Sequence, residues 1–232
     1  MDNKTKIIPF PGVERTTKKA RKRRRIKNAD GIKYFTNRQI KFLRRTVRGQ
    51  AELNEQKGKV TGIREWMVID LLTSSGLRVS EAADLRVGDV MTGYGESAIY
   101  VRDGKGSKSR TVQIPASLKK HLKRFVRWKE SRREPTGPDD HLFLGQRGPW
   151  TGQAIQQIVK KYLKTLGLYQ KGKSVHALRH SYAVELYRQE RDLRAVQKQL
   201  GHSSVQTTQI YADVVDEDIQ DQIKGLWGGP YR

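Results

Sequence analysis

The sequence contains no cysteine. Disulfides, thiolate nucleophiles and cysteine-ligated zinc fingers are therefore excluded. It has no run of eighteen apolar residues, so no helical membrane span is expected. Its N-terminus lacks the apolar core of a secretory signal, which points away from secretion. There is no P-loop and no cluster of carboxylates suited to Mg²⁺. Acid is scarce as well: 24 Asp and Glu stand against 47 Lys and Arg, a net charge of +23. Such an excess calls for a polyanionic partner, nucleic acid first and an anionic membrane surface second. The expectation is a cytoplasmic protein that faces DNA or RNA.

What is present is enough for a core. The 232 residues are 35% hydrophobic, which allows one sizeable domain with a tail, or two small ones. Residues 1–33 form their own compositional zone, with 12 basic and 3 acidic residues and the dense run Lys18-Lys19-Ala20-Arg21-Lys22-Arg23-Arg24-Arg25. Few apolar residues accompany that charge, so residues 1–34 are expected to be a disordered arm. One reading is a solvated, solubilising tail. The other is a phosphate-binding arm, since clustered like charge is costly without counter-charge and each phosphate contact releases counterions.

Ordered structure is expected from residue 35 onward. Thr36 can cap a helix carrying Ile40, Leu43 and Val47 on one face. A second helix runs from about Gly62 to Leu72 and stops at Gly76. Ser80 can cap a short third helix. Residues 98–101 and 111–114 read as two strands of a hairpin or meander. Pro115 opens a helix with Leu118, Leu122 and Phe125 inside and Lys or Arg outside, a charged face of the kind that is usually solvated. Residues 131–141 read as a loop, residues 151–166 as a strong helix stopped by Gly167, and residues 191–200 as a helix ending at Gly201. An acidic helix start at Asp216, Glu217 and Asp218 precedes apolar residues between 219 and 227. The fold class is α+β, mostly α, with a small antiparallel sheet of about three strands.

Several residues stand out chemically. Arg78 lies at the mouth of a helix, where its fork and free N–H groups could hold a phosphate. It could equally pair locally with Glu81 or Asp84. Lys105 sits between Gly104 and Gly106, so a ligand could approach its backbone closely; a solvated hairpin tip explains it too. His176 and Arg179 share a helix face, whereas His180 and Tyr182 are expected to point elsewhere. His176 and His180 stand at i, i+4, but no third ligand accompanies them and Arg179 would repel a cation, so no metal is expected. His202 is followed nine residues later by Tyr211. A tyrosine hydroxyl can be a covalent nucleophile, and a tyrosine in an apolar helix can also be plain core. Two arginines, a lysine, two histidines and a tyrosine suit phosphoryl transfer without a metal, in which fixed cations stabilise five-coordinate phosphorus.

Four stretches together resemble the tyrosine recombinase (phage integrase) family. They are Thr73-Ser74-Ser75-Gly76-Leu77-Arg78-Val79-Ser80-Glu81, Gly104-Lys105-Gly106-Ser107-Lys108, His176-Ala177-Leu178-Arg179-His180-Ser181, and Leu200-Gly201-His202 followed by Tyr211. The resemblance covers about residues 35–225. It implies a catalytic set of Arg78, Lys105, His176, Arg179, His202 and Tyr211, with no cofactor. Tyr211 would attack a DNA phosphate to give a 3′-phosphotyrosyl link and a free 5′-hydroxyl. Arg78 and Arg179 would grip the non-bridging oxygens, which planar forks suit. His202 would donate a further hydrogen bond, Lys105 would protonate the leaving oxygen, and His176 would help take the proton from Tyr211. Glu81 would support the segment of Arg78.

The resemblance further implies strand exchange (integration, excision or inversion) without ATP, by a homotetramer on double-stranded DNA, with an accessory recombinase or directionality factor as a further partner. Residues 35–232 would form the catalytic domain, with residues 213–232 as an exchange segment that packs on a neighbour or on itself. Most family members carry a helical core-binding domain before the catalytic one; here a short basic arm is expected in that place. Two other functions remain open: strand relaxation like that of a type IB topoisomerase, and a DNA-binding accessory or regulatory protein that keeps the fold without turnover.

Overall fold

The structure, a computed structural model, describes residues 32–102 and 109–223, with side chains up to Val215. The expected basic arm up to residue 31, Lys105, and the apolar side chains between 219 and 227 lie outside the described residues.

Helix α1, Asn37–Gln56, begins as its sequence dictates. The Thr36 hydroxyl accepts from the Gln39 N–H, and the Gln39 side chain accepts in return from the Thr36 N–H at 3.0 Å, a complete capping box. Leu43, Val47 and Ala51 recur at every fourth position and bury one stripe. That stripe packs on α2, Thr61–Ser75. Helix α2 is buried on nearly every side: Met67, Val68, Ile69, Leu71 and Leu72 are buried, and so are the polar Glu65, Asp70, Thr73, Ser74 and Ser75. It occupies the middle of the fold, packing against α1, α4 (Ala116–Ser131), α5 (Gly152–Thr165) and α6 (Val175–Glu190).

Between α2 and α4 come α3, Val79–Ala83, a 3-10 turn at Val87–Asp89, and a three-stranded antiparallel sheet in the order β1-β2-β3. Its strands are Val90–Met91, Ala98–Val101 and Arg110–Gln113. Ile99 faces Val112 and Val101 faces Arg110 across the central pair. The expected second strand is shifted by one residue, and the ladder continues through the Ile114 N–H to the Ser97 carbonyl at 2.9 Å. The sheet of about three strands is therefore present, although β1 is only two residues long. A further short pair, β4 (Leu144–Gly145) and β5 (Gly148–Pro149), lies just before α5.

A second hydrophobic cluster joins α6, α7 (Leu193–Leu200) and α8 (Gln206–Ile223) through Ala183, Val184, Val196, Leu200, Tyr211 and Val215. Tyr211 lies inside α8, in its second turn. One expectation is corrected here. Asp216 opens no new helix, because α8 continues through it. The turn that starts α8 supplies its own acceptors: Ser204 Oγ accepts from the Gln206 N–H at 3.2 Å, and the Ser204 carbonyl accepts from the Thr207 N–H.

Candidate active site

The site forms where the C-termini of two helices meet the third. Helix α2 ends at Gly76 in the left-handed conformation (φ 64°), and α7 ends at Gly201 in the same way (φ 66°). Both ends leave carbonyls without intrahelical partners. Arg179, on α6, takes one from each: its Nη1 donates to the Gly76 carbonyl at 2.6 Å and its Nη2 to the Leu200 carbonyl at 2.7 Å. A cation at two helix C-termini is favoured by both dipoles, which is how a guanidinium only 6% exposed is accommodated. Burial, then repulsion from Arg78, pushes its pKa down to about 10, so it stays charged at neutral pH.

Arg78 occupies the N-cap position of α3; Ser80, expected to cap it, lies inside the helix. The capping carboxylate is that of Glu81, the third helical residue, which accepts from the Arg78 N–H at 2.8 Å and from Arg78 Nη1 at 2.7 Å. The local pairing of Arg78 with Glu81 and its place in the site are thus one arrangement, not alternatives. Glu81 also accepts a bidentate pair from Arg110, the first residue of β3, with both contacts at 2.8 Å. Burial alone would raise the pKa of Glu81, but the hydrogen bonds from Arg110 and Arg78 and the charge of Arg110 hold it down at about 2. Three guanidiniums therefore converge on one carboxylate, since Arg179 Nη1 lies 4.0 Å from Glu81 as well. The cluster retains excess positive charge.

His202 follows Gly201 directly. Its Nδ1 lies 3.1 Å from the hydroxyl of Thr208, a fully buried residue on α8. One turn further along, the Tyr211 ring stacks beside the His202 ring, centroids 6.2 Å apart and planes 19° apart. The Tyr211 hydroxyl meets Nδ1 of His180 at 3.1 Å. The expectation that His180 points elsewhere is corrected: it faces α8, because α6 packs its 180 and 184 side against that helix. Burial, then His176 and Arg179, pushes His180 down to about 4; burial, then Arg179 and Arg78, does the same to His202. Both imidazoles are neutral at pH 7. Burial raises the pKa of Tyr211 against the opposing pull of Arg179 and Arg78. In this arrangement the tyrosine is a protonated phenol that can donate to His180.

Of the expected residues, Arg78, Arg179, His202 and Tyr211 are brought together. His176 lies one turn before His180 on α6, exposed at the helix start. Arg110, His180 and Thr208 belong to the cluster and were missed. His180 did carry a signal, being adjacent to Arg179 and four residues after His176. Arg110 is one basic residue among 47, and only strand pairing delivers it to Glu81. Among the described residues no three His, Cys, Asp or Glu side chains gather as a metal site.

A mostly helical domain with a short antiparallel sheet, arginines fixed over a buried carboxylate and a buried helical tyrosine set between histidines together define the architecture of the site. A profile described as "Phage integrase family" matches residues 41–218, and the chain belongs to that family. It is 36% identical over 160 residues to tyrosine recombinase XerD of Ralstonia nicotianae, covering 68% of this chain and 51% of that protein. It is 32% identical over 166 residues to tyrosine recombinase XerA of Pyrococcus horikoshii, covering 70% and 54%. The chain spans about half the length of these curated relatives. Among solved structures it resembles that of a XerA recombinase (TM-score 0.65, 28% identity, 86% of this chain and 66% of that one). It also resembles XerH bound to its difH substrate before cleavage (TM-score 0.65, 27% identity, 78% and 50%).

Proposed function

We propose that this protein cleaves and rejoins duplex DNA at specific sites, with Tyr211 as the nucleophile. The observation that carries this reading is the meeting of Tyr211 with His180 and His202 beside the buried Arg179 and the half-buried Arg78. The phenol oxygen attacks phosphorus, the bond to the 5′-oxygen breaks, and a 3′-phosphotyrosine stores the bond energy for rejoining without ATP. Arg78 and Arg179 offer fixed positive charge to the phosphorane, which costs no reorganisation during reaction. If the Thr208 hydroxyl donates to Nδ1 of His202, the proton sits on Nε2, the tautomer able to donate to a phosphate oxygen. His176, at the exposed start of α6, takes up the phenol proton when DNA is bound, and Lys105 gives a proton to the leaving 5′-oxygen. Glu81 and Arg110 position Arg78 and do not touch the substrate. Duplex DNA as substrate is supported by the +23 charge and by the similar structure of XerH, a site-specific recombinase bound to its difH substrate before cleavage. The working assembly in this reading is a homotetramer on two DNA sites.

Tyr211 is only 1% exposed. In this state its hydroxyl is closed to a DNA phosphate, so α8 has to shift before cleavage. The same burial favours a second reading, a DNA-binding accessory protein in which Tyr211 is core. A nicked duplex carrying the sequence that flanks this protein's own gene separates the two. The first reading expects a covalent protein–DNA adduct that Tyr211→Phe abolishes. An absent adduct, or one that persists in Tyr211→Phe, supports the second.

A further inference from the structure

A groove between α1 and α4 lies apart from the Tyr211 cluster and shares no residue with it. It encloses about 700 Å³ and is lined by seven basic side chains and one carboxylate, Asp70. Asp70 is already occupied: it is buried, pairs with Arg44, and accepts from His121 Nδ1 at 2.6 Å and Ser74 Oγ at 3.2 Å. Arg48 pairs with Glu52. Lys119 donates to the Gly93 and Glu96 carbonyls. Lys120, Lys123, Arg124 and Arg127 remain, and among the described residues none of them is paired with a carboxylate.

These four stand at i, i+3, i+4 and i+7 on one face of α4. Like charges at that spacing destabilise a helix, so the arrangement calls for a counter-charge from outside. The first turn of α4 adds to the same field. Ala116 and Ser117 line the groove, and the Pro115 cap supplies no side-chain acceptor, so first-turn N–H groups are left uncapped. From Lys120 to Arg127 the helix rises roughly 10 Å at ~1.5 Å per residue. Over that length one strand of a duplex carries about three phosphates. The aromatic Trp66 in the groove is buried and stacked on His121, centroids 5.2 Å apart. With no exposed ring to stack on unpaired bases, the groove suits the backbone of a duplex over a single strand.

We propose that this groove is a second DNA-contact surface, which grips duplex phosphates outside the segment engaged at Tyr211. It relies on the function proposed above only for the identity of the polyanion. The test uses the full chain and a labelled 40-base-pair duplex of generic sequence. In the wild type, saturating duplex should protect Lys120 and Lys123 from acetylation. Replacing Lys120, Arg124 and Arg127 together by Gln should weaken binding and reduce the slope of log K against log salt by about 2 to 3. The pair Arg124→Gln and Arg127→Gln, with a proportionately smaller change in slope, serves if the triple variant does not fold. Unaltered affinity and slope, or lysines that stay reactive under saturating duplex, would overturn the proposal. Protection by polyglutamate but not by duplex would also overturn it, assigning the groove to an acidic protein. The Tyr211 adduct is scored separately: lysine protection without an adduct removes the enzymatic reading and leaves the groove standing.

Discussion

Thr208 has no exposed surface, and its hydroxyl faces Nδ1 of His202 at 3.1 Å. Its function in the proposed reaction is to hold the proton of a neutral imidazole on the far nitrogen. Thr208→Val keeps the shape and removes the hydroxyl; adduct formation should fall by roughly 10- to 100-fold, the scale of a misaligned transition-state donor. Thr208→Ser should restore most of it. Single-turnover cleavage of a nicked duplex measures both, and a wild-type rate in Thr208→Val counts against the role. Glu81 gives a pH prediction. Its carboxyl titrates at about 2 in the fold against an ordinary value of 4.5. The folded form therefore binds the proton less readily than the unfolded chain, and the stabilisation is complete above about pH 4.5. It is lost as pH falls from there towards 2, and its full size is on the order of 3 kcal/mol. Urea unfolding of wild type and Glu81→Gln should show the widest gap at neutral pH, narrowing steadily towards pH 2. Arg78, Arg179, His202 and Tyr211 could be read from the sequence because each lies in a short local pattern. Arg110 and Thr208 could not, because what gives them a role is a partner on another element.

At the scale of elements, the helix ends do the positioning. Gly76 and Gly201 close α2 and α7 in the left-handed conformation and turn their last carbonyls towards Arg179. A Cβ at Gly76 would come within 2.3 Å of the Tyr182 ring. Gly76→Ala should therefore destabilise by more than the ~1 kcal/mol of the backbone term alone and should slow cleavage by displacing the Arg179 partner. Gly49→Ala, inside α1 with nothing within 4 Å of the added carbon, should instead stabilise by about 0.5–1 kcal/mol. Paired urea melts decide both. Helix caps and stops were legible in part: Thr36, Gly76 and Gly201 act where the sequence places them, whereas Ser80 lies inside the helix it was expected to cap. The short strands β1, β4 and β5 were not, since two-residue strands have no periodicity to read.

For the whole molecule, charge is the dominant feature. The net +23 is shared among the site, the α4 groove and the N-terminal segment, and the proposed role of the last is to add phosphate contacts. Deleting residues 1–31 leaves Ile32 and Tyr34, which pack against the second hydrophobic cluster. The truncated chain should fold, bind duplex DNA more weakly and show a flatter salt dependence, by ~0.9 in slope for each phosphate contact removed. Identical salt titrations for the two chains would dismiss a DNA role for the segment.

The sequence by itself determined the inventory: a cysteine-free, strongly basic chain, and helices with most of their stops, which depend on composition and on periodicities within one element. The residue types of the proposed phosphoryl-transfer site came from the order of four short motifs that resemble the family. Only the tertiary structure decided which groups meet. Packing of α6 on α8 turned His180, not His176, towards the Tyr211 hydroxyl. The pairing of β2 with β3 carried Arg110 to Glu81, 29 residues away. Continuation of α8 through residue 211 buried Tyr211 at 1% exposure. Each of these contacts joins residues distant in the chain, and their geometry is set by the packing of whole helices and strands, which no local pattern encodes.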